Sequence, residues 1–402
     1  MLDAYIYDGL RSPIGRHAGK LSPWRPDDLA SEVVKEVVAR NKVDPKQISD
    51  VILGCVNQAG EDNRNVARFA ALLAGLPPTT PGVTVNRLCA SGLQAVVDAS
   101  RAITCGEGDL YVAGGVESMT RAPYVVSKPD SAFGRESKMY DTTIGVRFPN
   151  ARAIKLYGNH SMPETGDNVA KDFGITREQA DEFALASQQK YATAEKEGFY
   201  KGEIMPITLP AKKKDVPGES FAADEHPRRD STLESLQKLK PLFEGGVVTA
   251  GNASGVNDGA AALLIGSKAW GSKNNKKPIA KILSAASAGV EPRIMGVGPA
   301  YAIPLALERA GLKLKDMDII EINEAFASQV LGCLKLMDVD FKDKRVNPNG
   351  GAIAIGHPLG ASGARLALTV AREMQQSGAK YAAVSLCIGV GQGLAVILER
   401  VS

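Results

Sequence analysis

The 402 residues are expected to fold as an α/β protein, with helices packed on a parallel or mixed sheet. Three observations predict this. Short apolar runs alternate with runs of helical spacing in the first third. The same alternation recurs in the last third, which points to an internal duplication. The middle, roughly residues 122–248, is polar and loop-rich and reads as an insertion into the first copy.

The elements follow in order. Asp3–Asp8 is a short apolar-rich strand. Pro26–Arg40 sets Leu29, Val33, Val34, Val37 and Val38 on one helix face. Val51–Cys55 is a buried strand, Gly92–Ile103 a helix and Leu110–Ala113 another short strand. MDIIEINEAFA from Met317 then repeats SDVILGCVNQA from Ser49, and SGARLALTVAREM from Ser362 repeats SGLQAVVDASRAI from Ser91. Asp50 matches Asp318 and Ser91 matches Ser362, at nearly the same displacement, as two copies of one βα unit about a pseudo-two-fold axis require. In the insertion, Thr176 and Gln179 fit a capping box before a helix ending near Gly198. From Val248 the chain returns through a Gly-rich turn to a buried strand.

Composition excludes several classes. Apolar residues are 44% and charged residues 23%, ordinary for a globular chain. A net charge of +3 is too mild to argue for nucleic acid. No apolar run reaches the roughly 18 residues of a membrane span. The N-terminal stretch has no basic region before an apolar one, and LERVS is no peroxisomal address, so the expected location is cytoplasmic. Cys55, Cys89, Cys105, Cys333 and Cys387 are odd in number and lack a C-x-x-C pair. That argues for free thiols, against a disulfide framework and against a zinc site.

Four residues are candidates for chemistry. Cys89 sits where an extended run gives way to a helix. Helix amides there lower a thiol's pKa and can hold a negative acyl oxygen; a small buried residue at a strand end is the alternative. His357, among Gly350, Gly351 and Gly356, can take a proton from a thiol or serve as a hydrogen-bonded turn residue. Cys387 follows an apolar strand and precedes a Gly-rich turn, as a reactive or a core thiol. Asn323, beside Glu324, ends a strand of the second copy, as a site residue or a helix N-cap. Cys55, Cys105 and Cys333 read as packing. His17, His160 and His226 read as surface or loop. The Lys212–Lys214 run reads as a solvated loop, with a phosphate contact as the sharper alternative.

Taken together, VNRLCASG, GGVESM, TAGNASGVNDGAA, NEAFA, NPNGGAIAIGHPLGASGAR and CIGVGQG, in this order along the chain, resemble the thiolase family. The resemblance covers essentially the whole chain. It implies two duplicated βαβαβαββ halves stacked as α-β-α-β-α layers. Residues 1–121 with 249–275 form the first half, 276–402 the second, and 122–248 an inserted loop domain that binds coenzyme A. It implies cleavage of 3-oxoacyl-CoA by CoA, or the reverse Claisen condensation. Cys89 would carry the acyl group as a thioester, His357 would activate it, and Cys387 would be the second acid/base. One oxyanion site would use His357 with a water on Asn323; the other would use the amides of Cys89 and Gly389. Arg228, Ser235 and Leu239 would lie near the nucleotide and Ala250 and Ser254 near the pantetheine; Met162 would be a further CoA-binding residue, and Met295 would line the acyl pocket. CoA and acyl-CoA would be the small-molecule partners, with no tightly bound cofactor and no metal. A homodimer or homotetramer is implied.

Acetoacetyl-type members have His-Met-Gly before the loop-domain helix, where this chain has Ser161-Met162-Pro163-Glu164-Thr165. With AGEDNRNVAR and YDTTIGVRF, this is more similar to degradative members, including those acting on 3-oxoadipyl-CoA. Arg147 reads as a surface arginine, with a distal carboxylate as its other possible partner. The alternatives are a biosynthetic acetoacetyl-CoA-forming thiolase and a non-catalytic acyl-CoA- or lipid-binding protein. A ketoacyl-synthase-like enzyme is disfavoured by Cys387.

Overall fold

A computed structural model describes residues 1–129, 131–211 and 217–401; Lys212–Lys214 lie outside them. Ten strands join in one sheet. Its order is Ile319–Ile322, Tyr381–Ile388, Gln392–Arg400, Ala280–Gly289, Ala4–Arg11, Asn257–Gly266, Leu110–Ser118, Asp50–Gly54 and Gly82–Val85, with Gly15–Arg16 paired beside Asn257–Gly266.

Read outward from the middle, the two halves have the same order and pairing. Ala4–Arg11 meets Asn257–Gly266 antiparallel, and Leu110–Ser118 follows antiparallel, then Asp50–Gly54 and Gly82–Val85 parallel. Ala280–Gly289 likewise meets Gln392–Arg400 and Tyr381–Ile388 antiparallel, then Ile319–Ile322 parallel, with Ile320 bridging Val346 where a fifth strand would lie. The first strands of the two halves pair with each other, Ala4 opposite Ile282 and Ile6 opposite Ala280. The repeat legible in sequence is therefore a repeat of topology.

The layers follow from three apolar cores. Leu93, Val96 and Val97 of helix Ser91–Thr104 and Leu366, Leu368 and Val370 of helix Leu359–Ser377 share one core with strands of both halves. On the outer face of the first half, helix Pro26–Arg40 packs Val33, Val34 and Val37 with Val51, Leu53 and Val112. On the outer face of the second, Ile303 and Val330 pack with Ile320, Ile322 and Ile397. Helix Pro26–Arg40 begins with Pro26, Asp27 and Asp28 and ends on Arg40, which suits the helix dipole.

The Ser-Gly pair common to both repeats is where the central helices touch. A Cβ on Gly92 would lie 2.6 Å from the Gly360 carbonyl oxygen, and one on Gly363 would lie 2.3 Å from the Leu93 nitrogen. The strand predicted to end at Ala113 runs on to Ser118. Its glycines allow this, since a Cβ on Gly115 would lie 1.9 Å from the Gly360 oxygen.

Between Ser118 and Asn257 no described strand belongs to the large sheet, though Ile204 bridges Arg11 at its rim. This segment forms two small hairpins and helices that include Met162–Phe173 and Arg177–Lys196. Thr176 and Gln179 make the expected capping box. Buried Arg11 anchors the segment, with Nε 2.6 Å from Glu203 and Nη1 2.7 Å from Asp224.

Candidate active site

Cys89 lies in the turn between strand Gly82–Val85 and helix Ser91–Thr104. Side chains lock this turn. Asn86 Oδ1 accepts the Leu88 N–H at 2.9 Å, and Ser91 Oγ accepts the Arg87 N–H at 2.9 Å while donating to the Leu88 carbonyl. They hold Leu88 at φ +46, a conformation that L-residues with branched side chains rarely adopt. The N–H groups of Gly389 and of Cys89 itself hydrogen-bond the Cys89 sulfur.

The thiol does not have the lowered pKa expected from a helix start. Burial dominates and pushes it up to about 11, with those two amides opposing. Cys89 keeps part of its surface open, yet the surrounding protein strips its water, which disfavours thiolate.

The second half brings three groups to the same place. His357 opens the turn before helix Leu359–Ser377 and is 4% exposed. Its N–H donates to Asn257 Oδ1 at 2.9 Å. Its Nδ1 lies 2.7 Å from Ser362 Oγ, whose own hydrogen goes to the Pro358 carbonyl at 2.8 Å. Ser362 can then only accept, so Nδ1 carries the proton and Nε2 offers its lone pair. Asn323 Nδ2 lies 3.3 Å from that Nε2. Desolvation, then Arg365, hold the imidazole down to about 3. The imidazole and the Cys89 thiol are therefore both held neutral.

Asn323 ends strand Ile319–Ile322 and does not cap the next helix, whose N-cap is Phe326. Its Oδ1 is buried without a protein partner, so it can hold a water or a substrate atom. Cys387, on strand Tyr381–Ile388, is fully buried. Burial and then the nearby Cys89 push its thiol well above the ordinary range. Cys387 packs with Met295, Phe326, Val248 and Met162, and Met162 Sδ approaches the Gly389 backbone.

The remaining predicted residues mark a path to the surface. Ala253 bridges Phe326, and Ser254 donates its N–H to the Ala325 carbonyl. A Cβ on Gly251 would meet Leu236 and Leu239, so Leu239 packs under the turn that carries Ala250. Ser235 is exposed in the short helix Leu233–Gln237. Arg228 is exposed with Nη1 3.5 Å from the Ala250 carbonyl, whereas neighbouring Arg229 is engaged by Glu195 and lies over Tyr191. Of the two, Arg228 has the freer guanidinium. Arg147 is half-buried and donates to the Thr142 carbonyl.

Other expectations need adjustment. Cys105 is exposed at the C-cap of its helix, because the helix ends at Thr104 before burying it. His226 stays in a loop but packs against Gly255, and burial lowers it to about 4. Ser362, Asn257 and Glu117 were not picked out. All three lie within quoted motifs, Glu117 in GGVESM, Asn257 in TAGNASGVNDGAA and Ser362 five residues after His357, but their partners come only from the fold. Among the described residues no group of three His, Cys, Asp or Glu side chains is placed to hold a metal ion. No described helix is long and apolar enough to cross a membrane.

Comparison with known proteins agrees with this geometry. The family model for the thiolase N-terminal domain matches residues 4–269, and that for the thiolase C-terminal domain matches 276–400. The chain is 55% identical over 403 residues to the 3-oxoadipyl-CoA/3-oxo-5,6-dehydrosuberyl-CoA thiolase of Escherichia coli, covering 100% of both. It is 46% identical to an acetyl-CoA acetyltransferase of Allochromatium vinosum, covering 98% of both. It superposes with a TM-score of 0.90 on human mitochondrial 3-ketoacyl-CoA thiolase in complex with CoA, at 40% identity, covering 100% of this chain and 98% of that one. The chain belongs to the thiolase family and is an acyltransferase that cleaves 3-oxoacyl-CoA with CoA as a substrate.

Proposed function

We propose that the preferred substrate is a 3-oxoacyl-CoA whose acyl chain ends in a second carboxylate, with 3-oxoadipyl-CoA the first to try. The observation that carries this is the higher full-length identity to the 3-oxoadipyl-CoA enzyme than to the acetyl-CoA acetyltransferase. The Ser161–Thr165 stretch, which replaces the His-Met-Gly of acetoacetyl-type members, points the same way.

The residues divide the reaction. His357 Nε2 takes the Cys89 proton as sulfur attacks the C3 carbonyl. Attack and proton transfer occur together, because a buried thiol and a buried imidazole both resist charging in advance. The amides of Cys89 and Gly389 hold the C3 oxyanion, and Asn323 with a water on it, together with protonated His357, receives the thioester oxygen of acetyl-CoA as its enolate forms. The C2–C3 bond then breaks, the acyl group stays on Cys89, and the Cys387 proton goes to the acetyl-CoA enolate. In the second step Cys387 takes the proton from CoA. The CoA sulfur attacks the Cys89 thioester, and the amides of Cys89 and Gly389 again hold the oxygen of the acyl carbon. Acyl-CoA leaves and His357 returns its proton to the Cys89 sulfur. No tightly bound cofactor enters these steps.

The inserted segment 122–248 acts as the CoA-binding domain between halves 1–121 with 249–275 and 276–402. Arg228 and Ser235 meet the nucleotide, Leu239, Ala250 and Ser254 line the arm, and Met162 and Met295 border the acyl group. The chain works in the cytoplasm and pairs with a second copy. The outer edge of strand Gly82–Val85 is unpaired, Val83 is 42% exposed, and Phe69, Leu72 and Leu73 are exposed nearby. An apolar sheet edge of this kind invites a partner. Light scattering that finds only monomer would remove that part.

The substrate test is CoA-dependent thiolysis of acetoacetyl-, 3-oxohexanoyl- and 3-oxoadipyl-CoA by wild type and Cys89→Ala. The expected kcat/KM is highest for 3-oxoadipyl-CoA, and activity is lost in the variant. A preference for acetoacetyl-CoA would reassign the chain to the biosynthetic reading. No cleavage by folded wild type would leave a binding protein.

A further inference from the structure

Glu117 ends strand Leu110–Ser118, is 2% exposed, and forms no ion pair with the described residues. Its carboxylate accepts three backbone N–H groups. Oε2 takes those of Val56 at 3.0 Å and Gly360 at 2.8 Å, and Oε1 takes that of Asn57 at 2.9 Å.

Each donor leads to a different part of the site. Gly360 lies three residues after His357, at the start of the second central helix. The Val56 carbonyl accepts Asn86 Nδ2 at 3.1 Å, and Asn86 Oδ1 holds the Leu88 N–H beside Cys89. Asn57 Nδ2 donates to Thr142 Oγ1 at 2.9 Å in the inserted segment. One carboxylate thus ties together the turn of the nucleophile, the turn of the base and the insertion, which come from separate parts of the sequence.

We propose that Glu117 is a positioning residue for the thiolase reaction: its carboxylate fixes the Cys89 turn relative to the His357 turn. The proposal rests on the thiolase reading of the site. A carboxylate suits this task because all its lone pairs accept, whereas a glutamine would turn an NH2 group toward at least one of the three N–H donors. Glu117 also faces titratable neighbours. Its charge raises Cys89 and Cys55, and Asp62 acts on it in turn. Burial raises Glu117 itself to about 7, against the pull of its three donors.

The test is Glu117→Gln, followed by thiolysis kinetics and by the pH dependence of Cys89 alkylation with iodoacetamide. Displaced turns should lower kcat about 10–100-fold and leave KM for acyl-CoA within about threefold. Removing the negative charge should meanwhile move the alkylation midpoint to lower pH. More accessible thiolate combined with less turnover is a split that loss of folded protein does not produce. Wild-type kcat in Glu117→Gln, or a lower kcat with the midpoint unmoved, would overturn the proposal. Should Glu117→Gln fail to fold, Asn86→Ala cuts the link at an exposed residue. It should lower kcat about 3–10-fold at an unchanged melting temperature, and wild-type kcat there would overturn the proposal equally. An inactive wild type would sink the thiolase reading and this proposal with it.

Discussion

The two halves share one scaffold and carry different chemistry at its ends. In the first, the turn before the central helix presents Cys89; in the second, the turn before the central helix presents His357. The strand that ends at Gly54 runs into Cys55, and the matching strand that ends at Ile322 runs into Asn323. The first half supplies a group that can bond to an acyl carbon. In the proposed mechanism the second supplies groups that move protons, His357 and Cys387, with Asn323 beside His357. Duplication gave two equivalent sets of strand ends and helix starts, and the glycine contact between the central helices brings the two sets together.

The sharpest way to break this comparison is to remove one thiol from each half. Cys89→Ala should lose at least about 10⁴-fold in kcat for both half-reactions. Cys387→Ala should lose carbon–carbon cleavage to a similar degree but still label Cys89 from a simple acyl-CoA, more slowly than wild type, because a CoA thiolate leaves without a proton far more readily than an enolate. Rapid-quench assays of the two half-reactions separate these outcomes, and equal loss of both in Cys387→Ala would erase the division of labour.

Asn323→Ala comes next. It removes the buried amide beside His357 Nε2 and should lower kcat about 10²–10³-fold, the usual cost of one oxyanion-hole donor. Circular dichroism should show the fold intact.

A smaller effect sharpens the role of the insertion. Arg228→Ala should raise KM for CoA about 3–10-fold, because a phosphate contact is lost on an exposed residue. Arg229→Ala should leave KM within about twofold, since its guanidinium is already engaged by Glu195. The reverse ranking would move the nucleotide contact to Arg229.

The smallest effect concerns acid stability. His226 is held down to about 4, below its ordinary 6.5. The unfolded chain takes a proton there at higher pH than the folded chain. His226 stability is therefore complete above about pH 6.5 and is lost as pH falls toward 4. His226→Gln should lose less melting temperature than wild type between pH 7 and pH 5. A steeper loss in the variant would contradict the burial seen at Gly255.

Much of this was legible in the sequence. The helix Pro26–Arg40 announced itself by valine spacing, and the repeat by matched runs at Asp50 and Asp318. The chemistry was legible because it demands residue types in glycine-rich turns, as at Cys89, His357 and Cys387. What stayed hidden depends on burial and on long-range contact. The Cys89 thiol is raised because neighbours distant in sequence strip its water, which a local motif does not reveal. Glu117 looks like any strand-end carboxylate until Val56, Asn57 and Gly360 converge on it. The exposure of Cys105 turned on where the helix stopped.

In the proposed reaction the first half carries the acyl group while the second half moves protons. Its most direct test is to mix wild-type protein with 3-oxoadipyl-CoA without free CoA, quench in acid and map the peptides by mass spectrometry. The account predicts one equivalent of acetyl-CoA released and a succinyl group on the peptide that contains Cys89. A succinyl group on the Cys387 peptide, or acetyl-CoA release with no acyl group on Cys89, would contradict it.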